Sequence, residues 1–125
     1  MPGTVLIVED SQGTAIPLEI ALGLLKGVQV VILSSATAAL DLLAMKNDVA
    51  ALVTDLHMPN IDGYELIRRV RQDARYLKLP IIVITGDSNP DTPGRLSSIG
   101  ANAIFAKPYS PYEIRRRLEV LLDAS

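Results

Sequence analysis

Apolar residues fall in five short runs, at 5–8, 28–33, 51–54, 81–84 and 103–106, and four of them lead directly into groups that can do chemistry. The first run delivers Glu9 and Asp10, the third Asp55, the fourth Thr85 and the fifth Lys107. Runs this short, rich in Val and Ile and closed by polar residues, predict strands buried on both faces.

Between the runs the apolar spacing changes to that of helices. Ile16, Ile20 and Leu24, together with Leu18, Leu22 and Leu25, predict a helix over 15–25, started late because Pro17 is tolerated in a first turn capped by Thr14. Gly27 closes that helix, and Ser35 or Thr37 caps an Ala/Leu-rich helix that ends at Met45. Asp62-Gly63 opens a third helix, continuing to Asp73, with Tyr64, Ile67 and Val70 inward. The Asn89 to Gly94 stretch reads as loop, which leaves a short fourth helix over 95–99. Ser110-Pro111-Tyr112-Glu113 is a capping box with proline at the first position, and it starts a final helix with Ile114, Leu118, Leu121 and Leu122 inward. Strands alternating with helices in this way predict an α/β fold, a doubly wound five-stranded parallel sheet with five helices and its working residues at the carboxyl ends of the strands.

Composition narrows the picture further. At 125 residues the chain reads as one domain over 1–125, and 49% hydrophobic residues with only 4% aromatic require a core of aliphatic side chains. A net charge of -2 offers no broad positive field, so direct nucleic-acid binding is not expected; Arg115, Arg116 and Arg117 form only a local patch. The absence of cysteine removes disulfide and thiolate chemistry, and no apolar run is long enough for a membrane span, so a cytoplasmic protein is expected.

Glu9, Asp10 and Asp55 converge at the strand ends, and two like charges about 4 Å apart repel by roughly 4 kcal/mol at an effective dielectric near 20. Lys107 offsets one charge. An all-oxygen donor set suits a hard divalent cation, most naturally a partly hydrated Mg2+, which invites a phosphoryl group. Asp55 then becomes an in-line nucleophile, with the Lys107 ammonium and the Thr85 hydroxyl stabilising the phosphoryl oxygens, and the product is an aspartyl phosphate.

Val8-Glu9-Asp10, the stretch from Asp55-Leu56-His57-Met58-Pro59 to Asp62-Gly63, Thr85-Gly86 and Lys107-Pro108 together resemble the response-regulator receiver domain of two-component signalling, a flavodoxin-like fold. The resemblance spans essentially the whole chain. Separations of 45 positions from Asp10 to Asp55, 30 to Thr85 and 22 more to Lys107 also match that family.

The resemblance implies phosphorylation of Asp55 by a sensor histidine kinase or phosphotransfer protein. It implies Mg2+ held by Glu9, Asp10, Asp55 and the backbone carbonyl of His57, phosphoryl contacts from Thr85 and Lys107, and a cis peptide between Lys107 and Pro108. It further implies a regulator that assists its own phosphorylation and dephosphorylation rather than an enzyme. Output would pass through the face of the fourth helix, fifth strand and fifth helix to a partner or attached effector domain, with room for a homodimer on phosphorylation. His57 and Asp87, each two residues past a site residue, are expected to set the phosphoryl lifetime. One departure stands out: the family's switch aromatic is replaced by Ile104, and Phe105 points to the opposite face, into the core.

Two rival classes stand beside this reading. A small phosphatase using aspartyl-phosphate chemistry would want a second aspartate where His57 stands, and a pseudo-receiver serving only as a protein-binding module is opposed by the intact Glu9, Asp10, Asp55, Thr85 and Lys107 set.

Overall fold

The computed structural model describes residues 3–124, with the side chains of 12–14 and 124 left aside. The chain runs β1 (Gly3–Val8), α1 (Gln12–Gly23), β2 (Val28–Leu33), α2 (Ala36–Met45), β3 (Val49–Asp55), α3 (Gly63–Gln72), β4 (Ile81–Thr85), α4 (Thr92–Ser98), β5 (Ala103–Ala106) and α5 (Pro111–Ala124), with a 3-10 turn at Ala74–Tyr76. All strand pairs are parallel and the sheet order is β2-β1-β3-β4-β5, the flavodoxin-like arrangement expected.

Strand alternation divides the interior into two layers. Leu6, Val8, Leu52 and Val83 pack against Ala39 and Leu43 of α2, Leu66, Ile67 and Val70 of α3, and Leu96 of α4. Val5, Ile7, Val53 and Ile84 pack on the other face against Leu18 and Leu22 of α1 and Ile114 and Leu118 of α5. Each fully buried Leu or Ile stabilises the fold by about 1.5–3 kcal/mol, so the interior is carried mainly by aliphatic side chains, with Tyr76 the buried aromatic among the described residues.

The helix starts follow local chemistry. Ser35 caps α2 by accepting a hydrogen bond from the Ala38 amide at 3.1 Å, and Asp62 caps α3 in the same way with Glu65 at 3.0 Å. Ser110 accepts from the Glu113 amide at 3.3 Å to begin α5. Leu66 is fully buried in α3 although its position was not singled out, whereas Tyr64 is half-buried.

Three expectations for α1 need correction. Helix α1 begins at Gln12 rather than Ala15, so Thr14 is inside the helix and Pro17 lies beyond its first turn, where it removes one backbone donor. The helix also stops at Gly23, and Gly27, at φ 77°, makes the turn into β2 instead of capping. Of the two stripes on α1 only one is core: Leu18 and Leu22 are buried, whereas Ile16, Ile20 and Leu24 are 51%, 63% and 69% exposed.

Helix α4 starts at Thr92, three residues before the predicted start, with Pro93 in its first turn and Gly94 within it. Two successive Asx turns order the preceding segment: Asn89 donates its amide to the Asp87 carboxylate at 2.8 Å, and Asp91 donates to the Asn89 side chain at 2.9 Å. A stretch read as loop is thereby organised as a helix lead-in.

Candidate metal and phosphoryl site

Parallel register sets the site. Val8 pairs with Thr54, Asp55 with Ile84 and Thr85 with Ala106, so neighbouring strands end within one residue of each other. The ladder continues past the ends, with Glu9 N–H donating to the Leu33 carbonyl at 2.9 Å and Lys107 N–H to the Thr85 carbonyl at 2.9 Å. Glu9, Asp55, Thr85 and Lys107 therefore meet in one crevice although they are spread over most of the sequence.

Carboxylate oxygens of Glu9, Asp10 and Asp55 lie within 4.8 Å of one another, the grouping the sequence predicts. Glu9 and Asp55 are each 6% exposed, while Asp10 faces solvent. The two oxygens of Asp55 are differently employed: Oδ1 accepts from the Leu56 amide at 2.9 Å, and Oδ2 accepts from Lys107 Nζ at 2.9 Å. Lys107 also stands 3.9 Å from Glu9 Oε2, so a single ammonium faces two buried carboxylates.

One cation does not balance that charge. Burial pushes the Glu9 carboxyl up to about 7, helped by the Asp55 charge and opposed by the Ser11 amide and Lys107. Burial also works against the Lys107 ammonium, but its hydrogen bond to Asp55 and the surrounding carboxylates outweigh that and raise its affinity for the proton. Three carboxylates grouped around one ammonium, with oxygen donors only, fit a hard divalent cation.

Gly63 brings α3 against the end of β3. A Cβ there would sit 2.8 Å from the Asp55 carbonyl oxygen and 2.9 Å from Leu56 Cα, and the Gly63 amide donates to the Leu56 carbonyl at 2.7 Å. Only glycine allows this approach. The Lys107-Pro108 peptide is cis, as the resemblance implies.

Thr85 is 3% exposed, and its hydroxyl oxygen accepts the Asp87 amide at 2.9 Å. His57 extends into solvent, yet its Nε2 comes to 3.4 Å from Asp87 Oδ2, bridging the loops after β3 and β4 across the mouth of the crevice. Asp87 is held below the usual carboxylate range by the Asn89 amide first and by Thr92 and His57 after it. Thr92 escaped notice in the sequence. The signal for it was the Asp87-x-Asn89-x-Asp91 spacing, which favours consecutive Asx turns.

Ile104 and Phe105 lie on opposite faces, Ile104 against the α2/α3/α4 layer and Phe105 against the α1/α5 layer. Phe105 is half-buried, not enclosed, because β5 is the edge strand. A second feature the sequence did not reveal is a cleft of about 380 Å³ beside Glu9 and Lys107, walled by Pro17, Pro108, Tyr109 and Pro111.

No helix among the described residues is long and apolar enough to cross a membrane. The chain is 29% identical over 117 residues to the two-component response regulator ORR11 of Oryza sativa subsp. indica, covering 92% of this chain and 78% of that protein. Its fold superposes with a TM-score of 0.86 on the signal receiver domain of a signal transduction histidine kinase from Syntrophus aciditrophicus, 28% identical over 98% of this chain and 91% of that one. A receiver domain of a sensor histidine kinase from Pseudomonas aeruginosa, solved with magnesium coordinated in its active site cleft, shares the fold at a TM-score of 0.84 and 24% identity, covering 98% of this chain and 99% of that one. The model of the response regulator receiver domain matches residues 5–119, and with its sheet order and strand-end crevice the chain belongs to that family.

Proposed function

We propose that this receiver domain takes a phosphoryl group on Asp55 from the phosphohistidine of a sensor histidine kinase or phosphotransfer protein. The observation that carries the reading is the Asp55 carboxylate itself, with one oxygen held by the Leu56 amide and the other faced by Lys107 at 2.9 Å. That arrangement fixes the carboxylate plane before any donor arrives.

Transfer forms a bond between phosphorus and an Asp55 oxygen and breaks the bond from phosphorus to the donor nitrogen, which leaves as neutral imidazole. Glu9, Asp10 and Asp55, with the backbone carbonyl of His57, would hold Mg2+, which supplies charge neutralisation for the phosphoryl oxygens. Lys107 follows the developing charge from the carboxylate to the phosphoryl group, and the Thr85 hydroxyl donates to a second phosphoryl oxygen while still accepting the Asp87 amide. The domain thus assists its own loading and unloading while acting as a regulator.

Support for a docked protein donor comes from α1. Its exposed stripe of Ile16, Ile20 and Leu24 adjoins Pro17, which forms one wall of the cleft beside Glu9 and Lys107. On α5, which packs beside α1, Tyr112 and Val120 are 53% and 63% exposed around a separate cleft shared with Phe105, Arg116 and Arg117, a surface suited to output.

The test is incubation with Mg2+ and acetyl phosphate followed by intact mass measurement of wild type and Asp55→Asn. Gain of one phosphoryl group by wild type alone is the expected result. No gain by wild type, in the presence of measurable Mg2+ binding, would favour a binding module that is not phosphorylated.

A further inference from the structure

The β4–α4 connection contains a chain of contacts that the phosphoryl chemistry does not need. Thr85 Oγ1 accepts the Asp87 amide at 2.9 Å. Asp87 Oδ2 in turn receives the Thr92 hydroxyl at 3.1 Å and faces His57 Nε2 at 3.4 Å, while Oδ1 receives the Asn89 amide. Thr92 is the first residue of α4 and is 2% exposed, so its hydroxyl is enclosed at the helix start with a carboxylate for a partner.

These links run from a predicted phosphoryl ligand to the first turn of a helix. Turning the Thr85 hydroxyl toward an incoming phosphoryl oxygen shifts the acceptor of the Asp87 amide, and the Asp87 carboxylate moves with its own backbone. The carboxylate is bonded to Thr92, so the displacement reaches α4. On the other flank His57 couples the same carboxylate to the loop that follows Asp55.

Ile104 cannot serve as an alternative route. It has no hydroxyl to exchange partners with Thr85, and a cleft of about 340 Å³ lies beside it, bounded by Thr85, Pro90, Thr92, Pro93 and Ala106. That space gives the connection somewhere to go when Thr85 moves.

We infer that Asp87 and Thr92 form a polar relay that carries occupation of the Asp55 site to α4, in place of a rotating aromatic side chain. The inference rests on the phosphoacceptor reading and extends it. Asp87 and Thr92 act through Thr85 and are positioning residues.

The experiment uses the whole chain labelled with 15N, Mg2+ and saturating beryllofluoride, with bound fluoride followed by 19F NMR. In wild type, loading moves the Leu56 amide, the Thr92 amide and the amides of Gly94 to Ser98. In Thr92→Val, of nearly equal shape, loading and the Leu56 shift persist and the α4 response is lost; Thr92→Ser restores it. Asp87→Ala, which removes the partner carboxylate from the β4–α4 loop and leaves the buried Thr92 in place, gives the same uncoupling once loaded and guards against poor folding of the valine variant. An α4 response that survives in either uncoupling variant, or its absence in loaded wild type, overturns the relay alone. Failure of wild type to load overturns the phosphoacceptor reading and the relay with it.

Discussion

Lys107 and Asp55 are 52 positions apart in sequence, and their side chains meet at 2.9 Å. The contact exists because β3 ends in Asp55 and β5 leads into Lys107 at the same end of the sheet, with β4 between them. Removing the ammonium leaves Asp55 and Glu9 buried together with no cation. Lys107→Ala should lower the rate of phosphorylation by acetyl phosphate about a hundredfold, the scale for deleting one preorganised charge stabiliser. Time-resolved intact mass measures it, and a rate close to wild type would remove Lys107 from the chemistry.

Glu9 gives the domain a pH dependence with a defined sign. The folded chain retains this proton up to about 7, against an ordinary value of 4.5. Between those values the native state binds more protons than the unfolded chain, so stability without divalent cation falls as pH rises, by about 3 kcal/mol at most. Denaturant midpoints at pH 5 and pH 8 test this, and Glu9→Gln should lose the slope. Under the proposed function Mg2+ would bind the ionised carboxylate, so its affinity should climb as pH rises through 7, with proton release detectable by calorimetry in two buffers.

Two glycines should respond in opposite directions to alanine. In Gly63→Ala the new Cβ meets backbone atoms of Asp55 and Leu56 under 3.0 Å away, and the expected loss is about 1–3 kcal/mol. Gly94 sits within α4 with nothing within 4 Å of a Cβ. Gly94→Ala should therefore stabilise by about 0.5–1 kcal/mol through helix propensity and a less free unfolded chain. Thermal melts of the two variants read both signs.

His57 and Asp87 meet at 3.4 Å between the loops that follow β3 and β4, on the Asp55 side of the sheet. His57→Ala opens that side to water and should shorten the lifetime of the aspartyl phosphate severalfold. Decay of the phosphorylated mass after removal of the donor checks it, and an unchanged lifetime would limit His57 to its backbone.

Legibility in the sequence followed the strength of the local signal. The strands were readable because buried parallel strands are continuous aliphatic runs, and the polar residue after each run marked its open end. Glu9, Asp10, Asp55, Thr85 and Lys107 could be picked out on that basis, and the structure brings them together. Helix starts were less legible. Pro17 suggested a late start for α1, yet the helix tolerates it, and Pro90 with Pro93 concealed an α4 organised by Asx turns. Two apolar stripes on α1 were equivalent in sequence, since spacing alone does not say which one faces the sheet. For Thr92 the sequence offers only the indirect Asp87-x-Asn89-x-Asp91 spacing, because its contact depends on a carboxylate five residues earlier folding back onto it.

The parallel register has a further consequence. Strand alternation means that a slip of one residue between β3 and β4 would turn Asp55 or Thr85 to the wrong side and dissolve the crevice while leaving most backbone bonds in place. No fragment of the sheet holds the constellation, since β1, β3, β4 and β5 each contribute to it. On the proposed phosphoacceptor reading, competence to accept a phosphoryl group would be all-or-none with respect to folding, and its rate of appearance during refolding would serve as a clock for the final alignment of the strands.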